Sequence, residues 1–302
     1  MKIAVIGIGA MGSFYAAKLS KHNDVIAFEH LDSKIEAVNR DGINLIEDGE
    51  TNNYRFKVFK DGTYKEVVDV VLVLVKATQT QEALKANLDI IGENTIILTL
   101  QNGLGNVKDI SKFVDPSNIV VGSSRVNVTN EDINTVKVSG NGLTYIGSVT
   151  NDMKDVLTLK VVFDKAGFEC ETTNDIKTLV WDKLIMNSVL NPLCAIFKCK
   201  IKVLYENKYI YDIVQALVEE DVCVAKANGI DLKEEDILNE IRALAYNIGN
   251  SYASMYYDVK NSRITEIDKL NGAIVLDAYK NKIQTPYNTF LLNAIKGMEK
   301  LY

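Results

Sequence analysis

Lys183, Asn187 and Asn191 recur at intervals of four in Leu179-Val180-Trp181-Asp182-Lys183-Leu184-Ile185-Met186-Asn187-Ser188-Val189-Leu190-Asn191-Pro192-Leu193. On a helix they project one ammonium and two amides from a single face. Leu179, Leu184, Leu190 and Leu193 supply the apolar remainder. Each polar group in such a column needs a hydrogen-bond partner, which makes it poor core material. Two readings are open at this level: a polar stripe turned to water, or a set aimed at a polar ligand in a cleft. Pro192 favours the second, because a proline inside a helix removes a backbone donor and bends the axis. Only two histidines occur, His22 and His30. That excludes histidine-rich zinc hydrolases, Ser-His-Asp hydrolases of the usual chain order and dehydrogenases with a late histidine acid. If this chain moves a proton, another side chain carries it.

A second constellation opens the chain. Gly7-Ile8-Gly9-Ala10-Met11-Gly12 follows the strand-like Ile3–Ile6 and precedes a stretch with Met11, Tyr15 and Leu19 at the spacing of an amphipathic helix. In a GxGxxG loop the first glycine permits the turn, the second lets the backbone approach a pyrophosphate, and the third lets helix and strand pack closely. The helix amino terminus adds N–H groups and partial positive charge. Gly7, Ile8, Gly9, Ala10, Met11 and Gly12 are therefore candidate dinucleotide-binding residues. Glu29 stands 22 residues beyond Gly7, near the spacing at which an acid accepts the adenosine ribose hydroxyls. A carboxylate there repels a 2′-phosphate and favours NAD over NADP; the bland alternative is a Glu29 that points to solvent. His30 could partly offset that charge when protonated.

The elements that position these residues fall into two kinds. Candidate strands at 3–6, 25–28, 70–75, 95–100 and 118–122 alternate with helical periodicity, the pattern of a parallel sheet covered by helices. Residues 42–65 are polar and alternating, which suggests an edge hairpin or excursion, and 136–146 are expected to form an antiparallel pair closing the sheet. Beyond Asn174 long helical segments take over at 175–197, 210–228, 234–254, 264–280 and from Pro286 onwards. Asn228-Gly229 fits a helix stop and Thr285-Pro286 a helix start. Thr265 is placed to cap a helix whose first turn holds Glu266 and Asp268, acids that favour the helix dipole whatever else they do. The expected fold is α/β: a Rossmann-type dinucleotide-binding domain over residues 1–172 and an all-helical substrate-binding domain over 173–302.

The chain has 302 residues, 34 Lys plus Arg and 40 Asp plus Glu, a formal net charge of −6. An acidic chain lacks the basic patch that nucleic acid or an anionic membrane calls for, so a small molecule is the expected partner. No apolar run is long enough to span a bilayer, and the chain reads as cytoplasmic. Cys170, Cys194, Cys199 and Cys223 read as buried thiols without metal-like pairing, only Cys194 and Cys199 standing near one another in the sequence.

Seven ordered motifs resemble the ketopantoate reductase (2-dehydropantoate 2-reductase) family over nearly the whole chain. They are the glycine loop, Val75-Lys76-Ala77, Gln101-Asn102-Gly103-Leu104-Gly105, and Trp181-Asp182-Lys183-Leu184 with Asn187 and Asn191-Pro192-Leu193. Ser254-Met255 with Asp258, Thr265-Glu266-Ile267-Asp268 with Asn271-Gly272, and Thr285-Pro286-Tyr287-Asn288 complete the set. The resemblance implies a site in the cleft between two domains and hydride transfer from NAD(P)H to a 2-keto acid, reducing 2-dehydropantoate to (R)-pantoate on the way to pantothenate and coenzyme A. It implies Lys183 as the proton donor to the ketone oxygen. Glu266 would receive the substrate's terminal hydroxyl and help hold Lys183. Asn187, Asn191 and Ser254 match substrate-binding positions. Lys76 and Asn102 match positions near the cofactor, Asn102 serving the substrate side as well. A homodimer is the candidate assembly, and no metal is implied.

One departure matters. Many family members carry an arginine at the end of the second strand, where Glu29-His30 stands here. This departure brings in the runner-up, an NAD-dependent D-2-hydroxyacid dehydrogenase of the mandelate type within the same superfamily. A dinucleotide-binding sensor without chemistry is the reading from another class, and retention of Lys183 and the paired asparagines speaks against it.

Overall fold

The computed structural model describes residues 1–140 and 142–302. Cα proximity divides them into two compact units, Met1–Gln101 with Asn106–Ile176, and Asn102–Gly105 with Lys177–Tyr302.

The first unit holds strands β1 (Lys2–Ile6), β2 (Asp24–Glu29), β3 (Ile43–Glu47), β4 (Glu50–Tyr54), β5 (Lys57–Lys60), β6 (Val70–Val73), β7 (Ile96–Thr99), β8 (Ile119–Ser124), β9 (Asn127–Asp132), β10 (Thr135–Gly140), β11 (Thr144–Ser148) and β12 (Cys170–Thr172). Its helices are α1 (Ala10–Leu19), α2 (Asp32–Asp41), α3 (Thr80–Ala86), α4 (Asn106–Ile110) and α5 (Lys154–Lys165). The main sheet runs β12-β11-β8-β7-β6-β1-β2-β5. From β5 to β8 every pairing is parallel, with Ile3 opposite both Val25 and Val70. β1 and β6 are enclosed on both faces, which is why their sequences are continuous apolar runs rather than alternating ones.

A second sheet, β4-β3-β10-β9, changes two expectations. The segment 42–65 does contain a hairpin, β3 with β4, but β5 leaves it to extend the main sheet beside β2. The segment 136–146 is not an antiparallel pair. β10 pairs with β3 and β9 in the small sheet, whereas β11 lies antiparallel to β8 in the main one. Helix α1 touches β1 and β2 on one side and β3, β9 and β10 on the other. It is therefore buried nearly all round, through Gly12, Ser13, Phe14, Tyr15, Ala16, Ala17 and Leu19, and is not the amphipathic surface helix its Met11-Tyr15-Leu19 spacing suggested. Tyr15, fully enclosed, hydrogen-bonds with Ser124 Oγ and Thr144 Oγ1, each at 3.1 Å, and burial pushes its hydroxyl up to about 12.

The second unit is helical: α6 (Ile176–Phe197), α7 (Val203–Glu206), α8 (Lys208–Ala227), α9 (Glu234–Asn247), α10 (Ser254–Lys260), α11 (Asn271–Lys280) and α12 (Pro286–Glu299). Its core is built from Leu184, Ile185, Val189 and Leu193 of α6 against Val214, Leu217, Val218 and Val222 of α8, with Ile274, Leu291 and Ile295 from the last two helices. Asn228 ends α8 before Gly229 in the left-handed region, and Thr285 leads into Pro286 at the first position of α12. Two helix boundaries fall elsewhere than expected. Ser254 opens α10 rather than closing α9, which stops at Asn247. Thr265 does take the amide of Ile267 on its hydroxyl, but it leads into a single 3-10 turn, Ile267–Lys269, and α11 starts only at Asn271. Cys223 also departs from the sequence reading, being exposed on α8, whereas Cys170 and Cys194 are buried and Cys199 half-buried. Among the described residues no helix is long and apolar enough to cross a membrane.

Candidate functional site

In the first unit the glycine loop closes the end of β1. Gly7 adopts φ 89°, donates its amide to Phe28 O at 3.0 Å, and leaves no room for a side chain, since a methyl there would lie 2.6 Å from Val75 Cγ1. A methyl on Gly12 would lie 1.9 Å from Gly7 O, so the third glycine is what lets α1 start against the loop. Gly9, the residue before α1, differs from both: a Cβ there would meet no atom within 4 Å. The space in front of Gly9 is open, the first turn of α1 carries no acid, and the opening amides of a helix have no carbonyl partner within it. Ile8 is enclosed and gives its carbonyl to Ser13 Oγ at 2.9 Å, while Ala10 and Met11 are half-buried beside the open face. These residues fit a dinucleotide phosphate group.

Glu29 ends β2 and is nearly enclosed. Its Oε1 accepts the amides of His30 at 2.8 Å and Leu31 at 3.3 Å, and His30 Nδ1 at 2.8 Å. The carboxylate does not point to solvent, and among the described residues Oε2 receives no hydrogen bond, which leaves it available to a hydroxyl. Lys34, also buried, lies close enough to feel this charge; desolvation holds its amine below the usual value despite the attraction. Lys76 is half-buried at the start of the 3-10 turn Ala77–Gln79, one residue past the Val75 that packs on Gly7. Gln101, to which the sequence assigned no role, braces that corner. Its Nε2 donates to Val75 O at 2.7 Å and to Thr80 Oγ1 at 2.9 Å, while its Oε1 takes the Thr99 hydroxyl at 3.0 Å.

In the second unit α6 runs unbroken through Pro192 and carries the Lys183, Asn187, Asn191 column. The three are not a solvent stripe, since Lys183 and Asn187 are half-buried and Asn191 is buried. Ser254 Oγ donates to Asn191 Oδ1 at 3.0 Å, the Met255 amide donates to the same oxygen at 3.3 Å, and Asn191 Nδ2 donates to Asn187 Oδ1 at 3.3 Å. The structure thus brings Ser254, Asn191 and Asn187 into one chain of bonds that ends at Asn187 Nδ2. That donor is enclosed and has no partner among the described residues. A buried amide N–H left without an acceptor is costly, and one on a ligand oxygen would relieve it.

Glu266 is half-buried on the turn before α11. Three bonds fix that turn. Asn271 Nδ2 donates to Ser188 O of α6 at 3.0 Å. The amide and hydroxyl of Thr265 both donate to Glu299 Oε1, at 2.8 and 2.7 Å. Burial raises the Glu299 carboxyl, but the Thr265 bonds and Lys296 outweigh it and hold the group below the usual carboxylate range. The Leu104 amide donates to Lys269 O at 3.0 Å, so the loop carrying Asn102 docks on the Glu266 turn and belongs with the helical unit.

Behind α6 lies a polar knot that no local pattern announced. Asp221 of α8, fully buried, accepts Asn288 Nδ2 on Oδ1 at 2.7 Å, and its Oδ2 lies 2.5 Å from Ser188 Oγ. Ser188 Oγ also lies 2.8 Å from Ile185 O, which can only accept. One hydroxyl proton cannot serve both contacts, so a protonated Asp221 donating to Ser188 satisfies the set. Burial likewise pushes the Asp221 carboxyl up to about 7. Glu220, the preceding residue, accepts the amides of Tyr287 and Asn288 and so caps α12. The only signal in the sequence was acids inside an otherwise apolar helix face.

The profile of ketopantoate reductase PanE/ApbA matches residues 3–151, and that of its C-terminal domain matches 175–299. The 2-dehydropantoate 2-reductase of Lactococcus lactis subsp. lactis (strain IL1403) is 29% identical over 308 residues, spanning 100% of this chain and 99% of that protein. That of Pyrococcus horikoshii is 30% identical, spanning 100% and 98%. Among solved structures, the ternary structure of D-mandelate dehydrogenase with NADH and anilino(oxo)acetate superposes with a TM-score of 0.95 at 27% identity, covering 99% of each chain. With both of its profiles matched in order over nearly all of the sequence, the chain belongs to the ketopantoate reductase family.

Proposed function

We propose that this protein reduces 2-dehydropantoate to (R)-pantoate, residues 1–172 serving the cofactor and 173–302 the keto acid. The observation that carries the reading is the chain Ser254–Asn191–Asn187 and its unused, enclosed Asn187 N–H one helical turn from Lys183. Bound NADH or NADPH supplies a hydride to the keto carbon. The protein's part is to hold the 2-keto acid by Asn187, Asn191 and Ser254 and to give the ketone oxygen a proton from Lys183, an ammonium being both electrophile and acid. Glu266 takes the substrate's terminal hydroxyl. Gly7–Gly12 and Lys76 serve the dinucleotide, and Asn102 serves both ligands.

Glu29 supports NADH as the preferred donor, because a buried carboxylate with a vacant oxygen suits a ribose hydroxyl and repels a phosphate. The same residue, with the fold likeness to an NADH-bound D-mandelate dehydrogenase, supports a second reading: a D-2-hydroxyacid dehydrogenase acting on branched or aromatic 2-keto acids. Initial rates with NADH and NADPH on ketopantoate, 2-ketoisovalerate and phenylglyoxylate separate the two. The expected result is the highest kcat/KM for ketopantoate with NADH. A preference for phenylglyoxylate, or equal rates with it, would overturn the pantoate assignment.

A further inference from the structure

We propose that Cys194 and Cys199 form a redox-sensitive dithiol, converted by a low-molecular-weight disulfide such as oxidised glutathione into an intramolecular bond that weakens keto-acid binding through Ser254. The geometry begins with how α6 stops. Lys198 takes φ 50° and the Cys199 amide donates back to Cys194 O at 3.2 Å, the six-residue closure that packs the residue after the turn onto one a turn inside the helix. Usually two apolar side chains meet there. Here both are cysteines, and their thiols are hydrogen-bonded to each other. A disulfide needs Cα atoms within ~7 Å and side chains that face one another, and this closure brings the two thiols face to face.

The two sulfurs are unequal in the way exchange requires. Cys199 is half-buried and within reach of a reagent, whereas Cys194 is enclosed. The bond from the Cys194 thiol holds Cys199 below the ordinary thiol value, and that same bond followed by burial pushes Cys194 up. Cys199 is therefore the attacking thiolate. Lys198, Lys200 and Lys202 flank it and offer positive charge to the carboxylates of glutathione. The Cys199 thiolate attacks one sulfur of oxidised glutathione and expels glutathione thiolate, leaving a mixed disulfide. Cys194 then loses its proton to solvent and attacks Cys199 Sγ, expelling the second glutathione. Two thiols are oxidised by two electrons and one glutathione disulfide is reduced to two thiols.

The link to substrate rests on the proposed function. Cys194 Sγ accepts the amide of Ala253, the residue before Ser254, and Ser254 in turn holds Asn191. The strap after Cys199 is bonded to the same loop, Ile201 N to Ser251 O and Lys202 N to Gly249 O, both at 3.0 Å. Closing the two sulfurs from hydrogen-bonding to covalent distance draws Cys194 Sγ off the Ala253 amide and pulls the strap inward, so Ser254 shifts from Asn191.

The experiment uses the full chain carrying Cys223→Ser, which removes the exposed thiol. The protein is equilibrated with oxidised glutathione, acid-quenched, alkylated and digested with trypsin. Because Lys198 lies between the two cysteines, cleavage yields two peptides joined only through the new bond. The expected result is that linked pair, its loss on reduction with dithiothreitol, and a KM for ketopantoate about tenfold higher in the oxidised protein with the NADH dissociation constant unchanged. Separate peptides, each alkylated or glutathionylated, would overturn the dithiol, and linked peptides with an unchanged KM would overturn the coupling to Ser254. A protein that reduces no 2-keto acid at all would defeat the proposed function while leaving the peptide linkage to stand or fall by itself.

Discussion

The proton that completes the proposed reaction has one ammonium on the column face of α6 to come from, since the two histidines lie at positions 22 and 30 in the other unit. Replacing Lys183 with alanine is expected to lower kcat by about 10²–10⁴, the usual worth of a positioned acid, with NADH binding by fluorescence titration unchanged. A variant retaining full kcat would remove Lys183 from the chemistry. Asp221 is a different kind of residue, an acid whose neutral form fits its surroundings. Its folded value of about 7 lies above the unfolded 3.8, so the folded chain keeps a proton that the unfolded one gives up. The stability it contributes is complete below about pH 4, falls as pH rises toward 7 and is flat beyond. Asp221→Asn, which can accept from Asn288 and donate to Ser188 as the neutral acid does, should flatten that fall. Urea unfolding at pH 5 and pH 7.5 should give a wild-type difference larger than the variant's by on the order of 2 kcal/mol. Equal differences would mean that Asp221 is ionised across the range.

At the scale of elements, the Glu266 turn is held from α12. Glu299→Ala removes the acceptor of both the Thr265 amide and the Thr265 hydroxyl and should cost about 1.5–3 kcal/mol, the worth of hydrogen bonds to a buried charge. In the wild type that contribution is present above the ordinary carboxylate value and lost as pH falls through the lowered folded one, so the two proteins should converge in acid. A cost that persists unchanged at pH 3 would mean that lost packing, and not charge, explains it. The elements also show which parts of the molecule could be read in advance. The glycine loop and the Lys183 column are local patterns, each spelled within one loop or one helix face, and the sequence displays them directly. The enclosure of α1 was illegible because a second sheet, assembled from strands 43–47, 50–54, 127–132 and 135–140, covers the face a lone helix would show to water. Strands 135–140 and 144–148 look like a hairpin in sequence, and only sheet partnership sends them apart. Asp221 was illegible for the same reason: its partners are 33 and 67 residues away.

At the scale of the whole molecule, the two units are each compact but not each continuous. Residues 102–105 fall between strands of the first unit in sequence and yet belong to the second, through Leu104 on Lys269. A fragment comprising 173–302 would therefore lack the segment that meets the Glu266 turn. Amides 266–270 should exchange with deuterium at least tenfold faster in that fragment than in the full chain, while α8 amides at 214–222 keep their protection. Equal protection at 266–270 would show that the segment contributes nothing to the turn. For anyone recombining relatives of this family, the interleaving sets a rule: a single crossover near residue 175 yields a chimera whose helical half receives a foreign 102–105. Hybrids that exchange this four-residue segment together with the helical half keep Leu104 and Lys269 from one parent, and the inheritable module is a discontinuous one.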